Sequence, residues 1–147
     1  MITQRLPDKS GQAIHADVGC NTKTKTQKYI LNMVIKKTDA IEFEKQGVKM
    51  RVYNSKDQCP EASIVYQETN TGHREEFYHS KSNFIFYIIE GSGTWFIENK
   101  PFNVQSGDVV IIPPNHKFYY KGALKQICIT APSWEMEYEH HVRNIDL

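Results

Sequence analysis

Between Asn83 and Pro114 the chain reads NFIFYIIEGSGTWFIENKPFNVQSGDVVIIPP, and this stretch constrains the fold more than any other. Aromatic and β-branched residues run at strand period, and turn residues interrupt them every few positions at Gly91, Gly93, Ser106-Gly107 and Pro113-Pro114. A helix would need an apolar stripe recurring every three or four residues without such breaks, so the stretch reads as short strands and tight turns. GTWFIE and PFNVQ flank the turn NKP and read as a hairpin. Strand-like runs continue on both sides, KMRVYN and ASIVYQE before it, LKQICIT after it. The turn spacing suits an antiparallel barrel or sandwich, so the expected class is all-β.

The rest of the chain sets bounds on function. Its 147 residues are enough for one domain with a real core. The net charge of +1 comes from intermingled acidic and basic residues with no basic stripe, so no nucleic-acid partner is expected. The polar opening MITQRLPDKSG and the short longest apolar run, Phe84 to Ile89, predict no leader and no membrane span, hence a soluble, cytoplasmic protein. Cys20, Cys59 and Cys128 make neither an even disulfide set nor a CxxC pair and are expected as reduced thiols.

Both ends differ from the middle. Residues 1–27 are polar and poor in large apolar side chains, which predicts a polar N-terminal arm ahead of a single domain over 28–147. In YILNMVIKK, Tyr29, Leu31, Met33 and Ile35 share one face at strand period, as either an ordinary first strand or one that pairs across a homodimer. SWEMEYEHHVRNI has helix-compatible composition after Pro132, with Ser133 as a possible N-cap, and predicts a short closing C-terminal helix.

Within residues 72–122, FYHSKSNFIFYIIEG and GDVVIIPPNHKF resemble the paired signature of a small single-domain cupin, a double-stranded β-helix or jelly-roll barrel of the RmlC-like kind. The first motif of that family reads HxH, four residues, Glu, then a strand closing in YVLEG; the second reads GD, an apolar strand, PPG, two residues and His. The likeness covers roughly Asp39 to Trp134, and its glycines and prolines fall where such a barrel must turn. The resemblance implies a metal centre of three histidines and a carboxylate. Carried onto this chain, those positions are Phe77, His79, Phe84 and Phe118, which retain one donor of four. No cofactor is therefore expected. The alternative is a divalent metal ion at a rebuilt site using His79 and His116, with His73 also near in sequence. His140 and His141, being adjacent, are expected to be solvated.

Two readings of His79 stay open. It is a neutral base that works with one of Tyr66, Tyr78, Tyr87, Tyr119 or Tyr120, as in metal-free sugar-nucleotide epimerases and isomerases of this fold, or it is a buried structural histidine, the preferred reading. Phe77, Phe84, Phe86 and Phe118 likewise either fill the barrel, the favoured outcome, or with His79 line a pocket for an apolar or sugar-like molecule, oriented by Tyr87 or Trp95. The expected function is a non-catalytic or small-ligand-binding homodimeric cupin without the standard metal centre, with metal-free or divergent metal-dependent catalysis as the alternative.

Overall fold

A computed structural model describes residues 33–147 of the chain. Among the described residues nine strands form: β1 (Ile41–Lys45), β2 (Val48–Val52), β3 (Ser63–Thr69), β4 (Glu75–His79), β5 (Asn83–Ile97), β6 (Lys100–Gln105), β7 (Val109–Ile112), β8 (Phe118–Ala131) and β9 (Glu139–Asn144). All of their pairings are antiparallel. They lie within one compact unit, Ile35–Leu147.

β5 and β8 are the longest strands and pair along their whole length, from Asn83↔Ala131 to Ile97↔Phe118. Their register shifts between Ile88 and Glu90, and there both strands bend. Gly91 sits at the bend with φ +94°, and a Cβ on it would come within 2.0 Å of the Ala123 carbonyl oxygen, so no larger residue fits. On one side of the bend the β5–β8 pair extends through β7 at one edge and through β3, β2 and β1 at the other. On the opposite side β5 pairs with β6, while β8 meets β4, which pairs with β9. Two sheets thus share their two central strands and curl around one interior, the jelly-roll barrel expected. The β5–β6 hairpin forms where NKP predicts it: Ile97 faces Lys100 across a two-residue turn with positive φ at Glu98 and Asn99, the twist that suits a tight hairpin.

Three expectations about the ends fare differently. The arm over 1–27 and its boundary with the barrel lie outside the described residues. Of the strand expected over 29–37, the described part is bend and coil ahead of a 3-10 turn, Lys37–Asp39, because no strand among the described residues pairs with it. The expected closing helix is a single 3-10 turn, Met136–Tyr138, followed by β9. Here tertiary pairing overrides composition: β9 satisfies its backbone by pairing with β4 from Glu75↔Asn144 to His79↔Glu139, and Arg143 and His141 reach Glu76 and Glu75 across that ladder. Among the described residues no helix is long and apolar enough to cross a membrane.

Inward-facing residues alternate along every central strand, but they do different things at the two ends of the barrel. At one end Trp95 is fully buried and stacks on Tyr120 at 4.3 Å between ring centres, with Phe86 at 4.5 Å and Ile88, Val104, Val110 and Leu124 completing a solid core. The other end is hollow.

Candidate functional site

The hollow end encloses a cavity of about 480 Å³. Three rings meet in it: Phe77 and Phe118 are paired across β4 and β8 with centroids 4.5 Å apart, and Phe84, from the sheet that holds β7 and β3, lies 5.9 Å and 5.7 Å from them. The sheet that bears Phe84 is otherwise small or polar here, with Cys128 and Thr130 of β8 beside Phe86 and Phe84 and with Val65 and Gln67 of β3 beyond them. The rings do not plug the barrel as expected, because the neighbours of Phe84 and Phe86 on their own sheet face, Thr130 and Cys128 of β8 and Val65 and Gln67 of β3, are short or polar. The mouth is an apolar rim of Ile41, Phe43, Trp134 and Met136, all exposed, with Met136 77% accessible.

Polar groups enter this apolar space at few points, the usual character of a ligand pocket. His73 is buried, 4% exposed, and lines the cavity between the rings of Phe77 and Tyr120, 5.1 and 5.8 Å away. Its Nδ1–H donates to the Glu75 carbonyl at 2.8 Å. Its Nε2 has no hydrogen-bond partner among the described residues. Burial, the largest influence on it, holds its pKa below the ordinary imidazole value, so the ring is neutral near pH 7, with Nε2 as a lone-pair base. The Tyr120 hydroxyl donates to Gln67 Oε1 at 3.2 Å, and burial raises its pKa, so it stays a phenol. Burial likewise keeps the Cys128 thiol protonated. At the mouth, Glu139 pairs with Lys45 and accepts from Trp134 Nε1–H at 2.7 Å.

The residues singled out in the sequence divide. Phe77, Phe84, Phe86 and Phe118 line the cavity. His79 does not. Its Nε2–H donates to the Glu135 carbonyl at 3.1 Å, while its Nδ1 accepts from the amides of Ser82 and Lys81 at 2.9 and 3.3 Å. Burial lowers its pKa, in keeping with that neutral tautomer. Both nitrogens are thus committed to backbone, tying the β4–β5 turn to the 132–138 segment that bears Trp134 and Met136. Glu135 reinforces the tie by pairing with Lys56 and Lys81, which bring its pKa down to about 2. His116 is exposed on the turn after β7, its Nδ1 bonded to the Pro114 carbonyl. His140 stacks on Tyr78 and reaches Ser80, and His141 pairs with Glu75, so neither is merely solvated. Tyr87 points outward, Trp95 lies in the solid core, and of the five candidate tyrosines Tyr120 alone lines the cavity.

The cupin metal set finds no fit in these side chains. Three of its four positions are phenyl rings packed on one another, and the fourth is an imidazole with both nitrogens engaged. Among the described residues no three His, Cys, Asp or Glu side chains gather where they could hold a metal ion. Gln67 is the cavity residue that the sequence reading does not name, while His73 enters it only beside the rebuilt metal site and Tyr120 only as one of five tyrosines. Period two is the signal for them: His73 shares parity with Phe77, and Gln67 with Ser63 and Val65.

Comparison with known proteins identifies the barrel. Residues 64–130 match the family model of the cupin domain, and the chain carries a cupin domain. A stretch of 63 residues is 38% identical to an uncharacterized protein of Methanocaldococcus jannaschii, covering 40% of this chain; the chain spans about half, 50%, of the length of that curated relative. Among solved structures the chain is similar to Pac13, described as a unique nucleoside dehydratase, with 26% identity, a TM-score of 0.73 and coverage of 77% of this chain and 92% of that one. A Streptomyces Pac13 variant with histidine replaced by glutamine, solved with uridine, matches at 25% identity and a TM-score of 0.74, covering 78% and 93%. Oxalate decarboxylase of Bacillus subtilis matches at 15% identity and a TM-score of 0.62 over 72% of this chain and 31% of that one, a likeness of fold alone.

Proposed function

We propose that the protein is a metal-independent cupin that binds a planar-ring small molecule of nucleoside type in the hollow end of its barrel and carries out proton-transfer chemistry on it, with His73 as the general base. One observation carries this reading: a neutral imidazole with its Nδ1 fixed by a backbone carbonyl and its Nε2 open to an aromatic cavity of ligand size. The likeness to a nucleoside dehydratase supports the ligand class. So does the study of histidine and tyrosine variants of that protein with uridine, since the cavity here holds one histidine and one tyrosine. His79, by contrast, is read as structural, because its nitrogens are already used.

The chemistry follows from what an imidazole can do. It cannot deprotonate an unactivated carbon, so the substrate carries a carbonyl beside the C–H to be broken. His73 Nε2 takes that proton, a C=C bond forms, the C–O bond to a β-hydroxyl breaks, and the imidazolium returns the proton to the departing oxygen as water. The aromatic wall excludes bulk water and holds the ring. No cofactor is invoked.

The outer face of the sheet supports a homodimer as part of the same reading. Two cross-strand rows, Ile111–Ile85–Ile129–Ile64 and Val109–Tyr87–Ile127–Tyr66, run over β7, β5, β8 and β3 and carry no charge. Ile111, Val109 and Tyr87 are about half exposed or more. An uncharged, partly exposed apolar patch suits an isologous contact with a second copy. Cytoplasmic location accords with the free thiols Cys59 and Cys128, and the even charge with an absence of nucleic-acid partners.

Uridine is the test ligand. Calorimetric titration is expected to give a Kd between about 1 μM and 1 mM, the usual span for a substrate-like molecule. Absence of heat and of any chemical-shift change at His73 in saturating uridine sinks the nucleoside reading. With a carbonyl-activated nucleoside, His73→Gln is expected to keep binding and to lose about 10²- to 10⁴-fold in water elimination, followed by mass spectrometry.

A further inference from the structure

The floor of the cavity carries a device that fixes which polar atom meets the ligand. Gln67 and Gln126 are direct cross-strand partners on β3 and β8, both facing inward, 8% and 1% exposed. Gln67 Oε1 accepts twice, from the Tyr120 hydroxyl at 3.2 Å and from Gln126 Nε2 at 2.9 Å. Both of its acceptor positions are thereby used. Its amide nitrogen, with two N–H donors, has no partner among the described residues. It is also absent from the buried, unpartnered side-chain atoms, whereas Gln126 Oε1 is among them.

Turning both amides over would be worse. It would bury the Gln126 nitrogen without an acceptor and take from the Tyr120 phenol the atom that receives its proton, and an orphaned N–H is the rarer defect in folded proteins. The arrangement therefore has one sense: carbonyl inward to the floor, NH2 outward to the cavity that Gln67 lines. Resting on the ring-binding reading above, we propose that Gln67 is the specificity-determining residue of the pocket, presenting a fixed N–H donor to a carbonyl on the bound ring. The pocket then accepts a ring with a carbonyl at that edge, as in a uracil, and rejects one with an amino group there, as in a cytosine. In the second case two N–H groups face each other in an apolar space with nothing between them. Tyr120 and Gln126 act as positioning residues through Gln67.

Two matched ligand pairs test this by calorimetry on the full chain. Uridine and cytidine differ at the ring edge. Acetophenone and cumene share one apolar skeleton and differ in a carbonyl. Gln67→Glu keeps the acceptor for Tyr120 and Gln126 and exchanges the outward N–H donor for an acceptor; Gln67→Met removes the donor without adding charge, and near-ultraviolet circular dichroism verifies that each variant is folded. The expected result is at least a tenfold preference for uridine over cytidine and a preference for acetophenone over cumene. Both preferences vanish in Gln67→Met, and Gln67→Glu moves toward cytidine, a reversal that a merely structural role would not produce. Nucleoside binding without discrimination, or discrimination that survives both variants, overturns the role of Gln67 and leaves the nucleoside reading intact. Absence of nucleoside binding together with a Gln67-dependent preference for acetophenone overturns the nucleoside reading and upholds the donor. Absence of any acetophenone preference overturns the donor.

Discussion

The two ends of the barrel are built from the same strands and nearly the same residue types, yet one is filled and the other hollow. At the filled end Trp95 has Tyr120 against one face and Phe86 close by, with branched aliphatic residues from β6, β7 and β8 around them. At the hollow end Phe77, Phe84 and Phe118 lean on one another, and the neighbours of Phe84 on its own sheet face are Thr130, Cys128 and Gln67. Aromatic content alone therefore does not decide between core and pocket. The size of the residues beside the rings does.

The largest expected effect that sharpens this contrast is catalytic. His73→Gln leaves the filled end untouched and, on the proposed reading, lowers turnover by about 10²- to 10⁴-fold while shifting the midpoint of urea unfolding little. Stability is expected to answer next. Trp95→Ala removes the centre of the filled end and costs about 3–5 kcal/mol by chemical denaturation, whereas Phe84→Ala, with the cavity already beside it, falls well below that range and shows mainly as weaker ligand binding. Equal losses at the two sites would erase the distinction between the ends.

The outer face offers a third measure. Ile111→Lys is expected to turn a dimer into a monomer in sedimentation velocity without changing the circular dichroism spectrum; a wild-type chain that sediments as a monomer removes the dimer from the proposal.

The smallest effect concerns pH. His73 and His79 both have lowered pKa values in the folded chain, with burial as the main cause. The unfolded chain, with imidazoles near 6.5, then binds protons that the folded one refuses, so stability is full above about pH 6.5 and declines as pH falls toward the folded values. Glu135, held at about 2 by Lys56 and Lys81, adds a second decline below the ordinary carboxylate range. Activity that needs neutral His73 is expected to stay level below pH 6.5, past the point where a free imidazole would have titrated. A stability profile flat from pH 7 to 5 contradicts the assignment of two neutral buried histidines.

How much of this could be read beforehand differs between fold and site. Turn residues and strand alternation carry the barrel, because Gly91 and the Asn99 turn are local requirements written in single residues. The four phenylalanines are legible as inward-facing for the same reason. Whether they enclose space is not, since the emptiness depends on Gln67 and Cys128, which come beside them only through strand pairing. His79 stands at a motif position and draws attention, while His73 has no motif and is distinguished only by where Phe77 and Tyr120 place it. The closing helix is expected wrongly because residues 133–145 have helical composition, and only pairing with the edge of β4 makes Glu139–Asn144 a strand.

The shared strands carry a further consequence, for folding rate. β8 borders both sheets, and its contacts with β3 join residues far apart in the chain, with Ser63 and Thr130 separated by 67 positions and Tyr120 and Gln67 by 53. Such loops must close before their contacts give anything back, so the barrel belongs with the slow folders, in the range of about milliseconds to seconds. Because neither sheet exists without β5 and β8, the hollow end has no folding history separate from the filled one. A pocket of this kind can be reshaped by evolution only through changes that the two shared strands tolerate.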